Sequence, residues 1–397
     1  MNPILRCLRK LRSSVKKRKS SIFDQKKYKD YLSLPEECHA ACGGLVIVLH
    51  EARLGGAPLL GLNMAKEYCT MGFRVALISL KFGEMIPELS EICPVQVCLY
   101  KSDLKRIIQE LKRRNYTTVL CNSAATGWAL PYFRDEDFRT ISLVHELPGV
   151  IHYLGIENDV KLLCSISDKV VFPSSFVLQK TEDEFGKIRS TAEVYHQGLF
   201  AKPPVSIMKD AARKELKSIL GIETEKKLFI NVATINERKG FDLFVEMADS
   251  DPDSVFLWVG DGADSGYGCG VLSKATRKRD NLFLPGYISD KWKMTVIYAA
   301  ATALLLTSRE EPFGSVVLEA FVNRTPVIAF DHCGGYIDIV HPGQTGELVE
   351  PYNTHEMLLK AKELCENDTL YKEIIENCHN VAIESSFHRY CKRIIEE

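Results

Sequence analysis

The sequence predicts two doubly wound α/β domains that face each other across a cleft. From residue 43 onward, short β-branched apolar runs alternate with helical patterns, which is typical of parallel sheets with crossover helices. The alternation breaks once, at the stretch GLFAKPPVSIMKD near residue 200, and then begins again. Open parallel sheets bind ligands beyond the carboxyl ends of their strands, so two such sheets joined by a linker predict a ligand cleft between those ends.

Along the chain, six strands are predicted on each side of this linker. Those of the first domain are 45–49, 74–80, 95–99, 118–121, 140–144 and 169–172. Those of the second domain are 228–233, 255–259, 281–284, 303–306, 326–329 and 347–349. A helix over 58–71 is predicted between the first two strands, because Pro58 suits a first helical turn and Gly72 suits the position after the last turn. The chain beyond Tyr352 predicts two or three helices.

These patterns predict four parts: a basic N-terminal extension 1–42, a first domain 43–205, a second domain 206–382 and a C-terminal helix 383–397. We expect the last helix to pack back on the first domain. The 397 residues, 46% hydrophobic and 26% charged, fit a globular chain of two to three domains. The longest apolar runs, such as 45–49 and 299–306, are far short of the ~18 residues of a spanning helix, so none is predicted.

Charge is distributed unevenly along the chain. The formal net charge is −1, yet residues 1–20 hold eight Lys and Arg and no Asp or Glu. The rest of the chain therefore has a negative net charge. An acidic body is a poor non-specific partner for nucleic acid, because duplex affinity comes mostly from cations that neutralise phosphates. The 13 cysteines are an odd number without a C-x-x-C pair, which predicts reduced thiols and a cytoplasmic protein.

The basic extension has three open interpretations. Ile4, Leu8, Leu11 and Val15 fall at helical spacing with basic residues between them, which favours an amphipathic helix on an anionic membrane surface. A disordered basic tail and a mitochondrial presequence are the alternatives. A secretory signal is disfavoured, because the segment lacks an uninterrupted apolar stretch of 7–15 residues.

The stretch ALLLTSREEPFGSVVLEAFVNRTPVIAF carries the most specific chemical signal. A strand ends near residue 307, a loop carries Glu310 and Glu311, and a helix is predicted from about Phe313 with Gly314 and Ser315 in its first turn. The start of a helix offers free N–H groups and a partial positive charge, which suit a diphosphate.

A second carboxylate follows on the same predicted helix. Glu319 lies eight residues after Glu311, and at ~1.5 Å per helical residue it lies roughly 9 Å along the axis from the helix start. This length is close to that of a diphosphate with its attached sugar. A carboxylate accepts two hydroxyl hydrogen bonds, so one Glu at each end can hold a hexose and a ribose. The alternative is an acidic loop followed by an amphipathic helix with one exposed Glu.

This stretch resembles the E-x7-E signature of the family 4 retaining glycosyltransferases, which have the GT-B fold of two Rossmann-like domains. The resemblance extends from residue 45 to about 385. It implies that Glu311 binds donor-sugar hydroxyls and that Glu319 holds the nucleotide ribose. It also implies that the backbone of Phe313, Gly314 and Ser315 meets the sugar and phosphates.

The stretch LFINVATINERKGFDLFVEMA places two cations before a helix. Arg238 and Lys239 lie in the loop after a predicted strand, directly before Gly240 and the next predicted helix. Cations at a helix N-terminus are unfavourable unless an anion binds there as well. In the family this is the place of the Arg and Lys that bind the pyrophosphate. Many members put the Arg five or six residues before the Lys, at positions that hold Thr234 and Ala233 here, so we expect Arg238 to supply that charge. A basic helix start on solvent is the alternative.

The stretch VIVLHEARLGGAPLLGLNMAKEY follows the first strand with Gly55 and Gly56. Glycines let backbone amides approach a phosphate closely, although a lone Gly pair also suits a simple turn. The pair is not the G-x-G-x-x-G fingerprint of a dehydrogenase. It resembles the glycine loop in the first domain of the family, which implies contact with the donor.

The stretch TISLVHELPGVI sets His145 at the end of a strand. A lone His is more often a satisfied structural residue than a functional one. The match to a strand-end His of the family implies that His145 contacts the donor sugar near the reacting carbon.

The stretch HCGGYIDIV places Gly334 and Gly335 after a strand. It is similar to the G-G-x-x-E pattern of the family, with Asp338 in the acidic place, and implies donor contact there. A simple turn explains the pattern equally well.

No metal or other cofactor is predicted. The Asp-x-Asp pairs at 135/137, 249/251 and 251/253 do not directly end an apolar strand and are interpreted as polar loops. No His, Cys or carboxylate cluster has metal-ligand spacing.

The resemblance implies a retaining transferase that moves a hexose from a nucleoside-diphosphate sugar to a glycan or lipid-linked acceptor, without metal. His145, Glu311, Lys239 and Arg238 are its expected catalytic residues. The main alternative is a catalytically silent, membrane-recruited module that binds nucleotide sugars. A glycosyl phosphorylase and a dinucleotide oxidoreductase are disfavoured, the first by chain length and the second by the missing fingerprint.

Overall fold

The computed structural model describes residues 33, 43–200, 207–223, 225–274 and 280–396. The described chain forms two compact units. Unit 1 holds the residues up to Pro173, Val177–Tyr195 and those from Cys391 onward, and unit 2 holds Ser174–Phe176 and His196–Tyr390. The predicted extension 1–42, apart from Ser33, and the centre of the predicted linker, 201–206, lie outside the described residues.

Unit 1 is built on a seven-stranded sheet. Its strands are β1 (Gly44–Leu49), β2 (Val75–Ser79), β3 (Val95–Val97), β4 (Tyr116–Asn122), β5 (Arg139–Leu143), β6 (Lys169–Phe172) and β7 (Thr191–Val194). The strand order is β3-β2-β1-β4-β5-β6-β7, and every neighbouring pair is parallel. Every residue of the central β1 is buried, as expected for a parallel strand covered on both faces.

Helices connect these strands. They are α1 (Gly56–Thr70), α2 (Ile86–Ser90), α3 (Lys101–Arg113), α4 (Leu130–Arg134), α5 (Pro148–Leu154), α6 (Glu157–Ile166) and α7 (Ser175–Phe185). A 3₁₀ helix, Ala124–Ala129, follows β4 directly. Gly72 ends α1 with a φ of 88°, so the predicted glycine position after this helix is confirmed.

Unit 2 is built on a six-stranded sheet. Its strands are β8 (Leu228–Val232), β9 (Val255–Val259), β10 (Leu282–Gly286), β11 (Ala303–Leu306), β12 (Val327–Phe330) and β13 (Gly346–Val349). Their order is β10-β9-β8-β11-β12-β13, again with parallel pairs. The carboxyl ends of the adjacent strands β8, β11 and β12 therefore lie along one edge.

The helices of unit 2 follow the same alternation. They are α8 (Lys209–Leu220), α9 (Phe241–Ser250), α10 (Gly266–Leu272), α11 (Lys291–Ala300), α12 (Ser315–Val322), α13 (Thr354–Glu363), α14 (Asp368–Glu384) and α15 (Phe387–Ile395), with a 3₁₀ helix at Gly335–Asp338. Trp258 of β9 is fully buried and meets the rings of Phe241 and Phe244 edge-on, at centroid distances of 5.1 and 5.3 Å. Such pairs contribute about 0.5–1.5 kcal/mol each beyond their buried area, and they fix α9 on the sheet.

The alternation predicted from the sequence is confirmed, with one omission. Each of the predicted strands is present within a few residues of its expected bounds, but β7 was not predicted. This strand lies at the edge of its sheet, and its four residues TAEV are half-buried or exposed. The apolar run that marks a buried strand is therefore absent from its sequence.

The C-terminal part forms three helices, and the end of the last one lies in unit 1. Within that unit, Tyr68 Oη donates to the carbonyl oxygen of Cys391 at 3.0 Å, and Arg139 Nη1 donates to that of Ile395 at 2.7 Å. Among the described helices, none has both the length and the apolar character needed to cross a bilayer.

Candidate active site

Three loops at the carboxyl edge of the unit 2 sheet carry the predicted donor-site residues. The loop after β8 holds Arg238 and Lys239, and the loop after β11 holds Glu311. The loop after β12 holds Gly334 and Gly335. Because these three strands are neighbours, their loops lie side by side.

Lys239 and Glu311 form an ion pair between Lys239 Nζ and Glu311 Oε2. Their side chains are only 17% and 10% exposed. Ser308 Oγ lies 3.4 Å from the same Oε2. The sequence analysis expected both charged residues beside one ligand, and the structure brings them into direct contact. Two partly desolvated opposite charges are strongly coupled, so removing one of them leaves the other uncompensated.

The backbone around Lys239 is fixed on both sides. Its N–H donates to Asn236 Oδ1 at 3.0 Å, and its carbonyl oxygen accepts from Thr307 Oγ1 at 2.9 Å. Asn231 Nδ2 donates to Thr307 Oγ1 at 3.1 Å. The next residue, Gly240, has a φ of 69°, and a Cβ there would lie 2.0 Å from the Thr307 carbonyl oxygen, so only glycine fits.

Arg238 is exposed beside this pair. Its Nη1 donates to the Glu310 carbonyl oxygen at 2.7 Å, and its own carbonyl oxygen accepts from the Arg309 N–H at 2.8 Å. Arg238 is thereby attached to the loop that carries Glu311. A guanidinium has five N–H donors, so this one bond leaves donors for an anion.

Glu311 is anchored through its backbone to the third loop. Its N–H donates to the Cys333 carbonyl oxygen at 3.0 Å, and its carbonyl oxygen accepts from the Gly335 N–H at 2.9 Å. A Cβ on Gly334 would lie 2.6 Å from the Glu311 carbonyl oxygen, and one on Gly335 would lie 2.2 Å from that of Pro312. Both glycines therefore have a packing role, and their predicted contact with the donor stays a prediction.

The start of α12 differs from the sequence expectation. The helix begins at Ser315, and Gly314 precedes it as an N-cap with a φ of 81°, a left-handed conformation that cannot continue a helix. Phe313 therefore lies before the helix, and its ring stacks on His196 with centroids 5.5 Å apart. Glu319 is only four residues from the true start, roughly 6 Å along the axis rather than 9 Å. No side chain caps the helix, so its first N–H groups lack a side-chain acceptor.

Glu319 is held by a tyrosine that the sequence analysis did not identify. Tyr298, which is buried on α11, donates its hydroxyl to Glu319 Oε2 at 2.7 Å. Water reaches the Glu319 side chain, yet protein crowds its carboxylate, and this desolvation raises its pKa above the usual 4.5. The hydrogen bond from Tyr298 opposes this shift only in part.

Replacing Glu319 by glutamine is therefore expected to weaken donor binding and to stabilise the fold near neutral pH. The resemblance implies a charge-assisted contact between this carboxylate and the donor ribose, and loss of that contact would lower donor affinity about tenfold or more. A carboxyl whose pKa is raised in the folded state lowers stability once it ionises. The stability difference between variant and wild type should thus be near zero below pH 4.5 and grow as pH rises through the raised pKa.

Thermal melting between pH 4 and 8, with donor titration at pH 7.5, measures both effects. Glu373→Gln, on the exposed face of α14, is the matched control. A variant that melts lower than wild type at neutral pH, or that binds donor equally well, would contradict this assignment.

Asp338 lies in the 3₁₀ helix after Gly335 and is already engaged within unit 2. It accepts from the Ser175 N–H at 2.8 Å, and His196 Nε2 lies 3.2 Å from it. Burial favours the neutral acid, but these hydrogen bonds outweigh burial and lower the pKa of Asp338. The carboxylate therefore orders the segment that also contacts Phe313.

In unit 1, His145 lies at the carboxyl end of β5, as predicted. Its Nε2 lies 3.1 Å from Asn122 Oδ1, at the end of the neighbouring β4. Burial lowers the pKa of His145, and the nearby Glu146 opposes this shift only in part. The ring is thus neutral at pH 7. Glu146 in turn accepts from the Ala124 N–H at 3.1 Å and from the Ser123 hydroxyl.

Gly55 and Gly56 open α1 in the loop after β1. Gly55 is the N-cap, with extended backbone that any residue adopts, and no side chain caps the helix. A Cβ on Gly55 would meet its nearest atom at 3.8 Å, and one on Gly56 would meet none within 4 Å. The described residues therefore give no packing reason for either glycine, in contrast to Gly335.

The three Asp-x-Asp pairs, which the sequence analysis interpreted as polar loops, form no metal site in the described part of the chain. No group of three or more His, Cys, Asp or Glu side chains is arranged there to hold a metal ion. Asp251, which belongs to two of the pairs, is buried 2.9 Å from Lys362 Nζ.

Several supporting residues escaped the sequence analysis. Ser308 and Arg309 lie inside the stretch that was quoted for Glu311, so their position was available as a signal. Arg309 forms a two-bond pair with Asp242 at 2.8 and 2.7 Å, which joins this loop to α9. Tyr298 reaches Glu319 in unit 2, and Asn122 reaches His145 in unit 1, only through the fold of each unit, and no local pattern points to them.

Comparison with known proteins finds similarity to glycosyltransferases. The family described as "Glycosyl transferases group 1" matches residues 212–381. The processive diacylglycerol alpha-glucosyltransferase of Acholeplasma laidlawii is 29% identical over 181 residues, which are 45% of this chain and 51% of that protein. The N-acetyl-alpha-D-glucosaminyl L-malate synthase of Bacillus anthracis is 22% identical over 354 residues, or 83% and 90% of the two chains. The chain spans about half the length of the first curated relatives it matches.

Among solved structures, Anabaena HepE in complex with UDP-glucose superposes with a TM-score of 0.73 at 18% identity, covering 89% of this chain and 98% of that one. A likeness at this identity shows the fold, and it agrees with the two parallel-sheet units described above. The fold class predicted from the sequence is confirmed. Residues 212–381 thus match the group 1 glycosyl transferases, and the two parallel-sheet units have the GT-B fold of the solved neighbours.

Proposed function

We propose that this protein is a retaining, metal-independent transferase that moves a hexose from a nucleoside-diphosphate sugar to a hydroxyl of a glycan or lipid-linked acceptor. The observation that carries the proposal is the contact between Lys239 and Glu311 beside the uncapped start of α12. A cation, a carboxylate and free helix N–H groups on one sheet edge suit a ligand that carries both a diphosphate and sugar hydroxyls.

Lys239, Arg238 and the start of α12 act on the leaving group. When the bond between the anomeric carbon and the phosphate oxygen breaks, negative charge accumulates on the diphosphate. Cations and N–H groups that are already in place stabilise this charge more strongly than that of the intact donor, and only such a difference accelerates the reaction. The backbone of Phe313, Gly314 and Ser315 lies where the sugar and phosphates meet the helix.

Glu311 orients the sugar and Glu319 holds the ribose. In the resting chain Lys239 occupies one carboxylate oxygen of Glu311. Donor binding transfers Lys239 to the diphosphate and frees Glu311 to accept from hexose hydroxyls. Tyr298 keeps Glu319 in place at the far end of the first helical turn.

The chemistry needs no nucleophile from the protein. The acceptor oxygen forms the new bond to the anomeric carbon on the face that the leaving phosphate departs from, and a phosphate oxygen takes the acceptor proton. His145 is neutral and touches the donor sugar near the reacting carbon, where it supplies a hydrogen bond rather than a charge. Gly55 and Gly56 leave room for the donor phosphates in unit 1.

A panel of radiolabelled UDP-, GDP- and ADP-sugars tests the proposal. We expect the purified chain to hydrolyse one donor slowly, because water replaces the absent acceptor, and to keep the α configuration when an acceptor is added. Binding of a donor without hydrolysis or transfer would instead indicate a silent binding module. Binding of none of them would refute the proposal.

The same assay tests metal independence. Turnover in excess EDTA is expected to stay within about twofold of the untreated rate, because Lys239, Arg238 and the helix start supply the charge that a metal would otherwise provide. Loss of turnover in EDTA that manganese restores would overturn this part of the proposal.

The curated relatives include a diacylglycerol glucosyltransferase and an N-acetyl-alpha-D-glucosaminyl L-malate synthase, which supports a hydroxyl compound as the acceptor of this chain. We further propose that residues 1–20, with eight cations, attach the protein to the surface of an anionic membrane. Equal sedimentation with anionic vesicles for chains with and without residues 1–30 would exclude this attachment.

A further inference from the structure

A groove of about 420 Å³ in unit 1 has a strongly cationic wall. It is lined by Lys101, Ser102, Lys105, Arg106, Gln109 and Tyr132. The first five follow α3 at a spacing that places them on one face of the helix. The opposite face buries Leu104, Ile107, Ile108 and Leu111 against the unit, so the cationic face is fixed toward the groove.

The cations of this wall are only partly neutralised: Asp159 lies near Lys101, and Gln109 donates to the Glu136 carboxylate at 2.9 Å. Among the described residues, no carboxylate lies within ion-pair distance of Lys105 or Arg106. Lys101 Nζ lies 5.5 Å from the centre of the Trp128 ring. Asp159 is partly buried near Lys101; burial raises the pKa of its carboxyl, and the charge of Lys101 opposes this shift. Neighbouring like charges repel, so an anion in the groove would stabilise all three.

The end of the groove at Lys101 lies near the edge of the sheet that bears His145. The helix α3 begins directly after β3, and the carboxyl ends of β3, β4 and β5 share one edge because the sheet is parallel. Lys101 contacts Trp128, and Trp128 belongs to the 3₁₀ helix whose first N–H, from Ala124, binds Glu146. Glu146 is the residue after His145.

We propose that this groove binds a phosphate group carried by the acceptor. The inference rests on the proposed function, since it assigns an acceptor class to the transferase. An arginine fork and lysine ammonium groups are the usual ligands of phosphate, and the Ser102 and Tyr132 hydroxyls add neutral donors. The volume accommodates a phosphate together with the adjoining polar unit of the acceptor.

Titration of the full chain with glycerol 3-phosphate at about 0.1 M salt tests the site, with glycerol as the blank. A second arm measures sedimentation with phosphatidylcholine vesicles with and without phosphatidylglycerol, which separates a soluble phosphate ester from a lipid headgroup. The variant is Lys105→Gln/Arg106→Gln. Arg113→Gln/Lys187→Gln removes two exposed cations of the same unit outside the groove and is the matched control.

We expect the groove variant, but not the control, to lose about tenfold or more in affinity for one of the two phosphate probes, because charge-assisted contacts are lost. A wild-type chain that binds neither probe, or a groove variant that binds both like wild type, would overturn the inference. Thermal melting verifies that the variants are folded. Binding of UDP-, GDP- and ADP-sugars to the wild-type chain is measured separately, so that failure of the proposed function is distinguished from failure of this site.

Discussion

Replacing Lys239 by glutamine is expected to lower kcat/KM for sugar transfer by about 100- to 1,000-fold, the usual cost of removing one preorganised group that stabilises developing negative charge. The backbone of Lys239 is fixed by Asn236 and Thr307, so donor binding needs only the side-chain ammonium to move from Glu311 to the diphosphate. Most of the loss should appear in kcat, because the charge on the diphosphate increases as the bond breaks.

The control for this prediction is Lys291→Gln, an exposed lysine at the start of α11 with no role at the site. Because Lys239→Gln also leaves Glu311 without its partner, thermal melting of the variant is needed to separate lost chemistry from lost folding. A folded Lys239→Gln protein that transfers sugar within threefold of the wild-type rate would remove Lys239 from the mechanism.

The sequence predicted the local position of the candidate site residues where they are neighbours along the chain. Arg238 with Lys239, and Glu311 with its following helix, are local patterns, since a strand end and a helix start each have recognisable residues. What connects these patterns is not local. The Tyr298 hydroxyl that holds Glu319 comes from another helix, and the Glu311 backbone contacts to the loop after β12 span more than twenty residues.

The fold shows the same division. Buried strands such as β1 and β9 were predictable, because apolar runs of four to six residues mark them. The edge strand β7 was not, since its exposed residues carry no such run. The start of α12 was placed two residues too early, because a glycine in the first turn and a left-handed glycine cap have the same sequence, and only the backbone angle distinguishes them.

Replacing Glu311 by glutamine should weaken recognition of the sugar but not of the diphosphate. In the resting chain Glu311 neutralises Lys239. In the proposed mechanism it also accepts hydrogen bonds from the hexose hydroxyls. Glutamine removes the charge, so affinity for the nucleotide sugar is expected to fall about 10- to 100-fold through weaker hydroxyl contacts. The released ammonium of Lys239 then binds the diphosphate with less competition, and affinity for the free nucleoside diphosphate should stay unchanged or increase. Calorimetric titration with the donor that the panel identifies, and with its nucleoside diphosphate, measures both constants. Equal weakening of both ligands would show that Glu311 acts only as a structural partner of Lys239, because a residue that reads the sugar must distinguish a ligand that carries one from a ligand that does not.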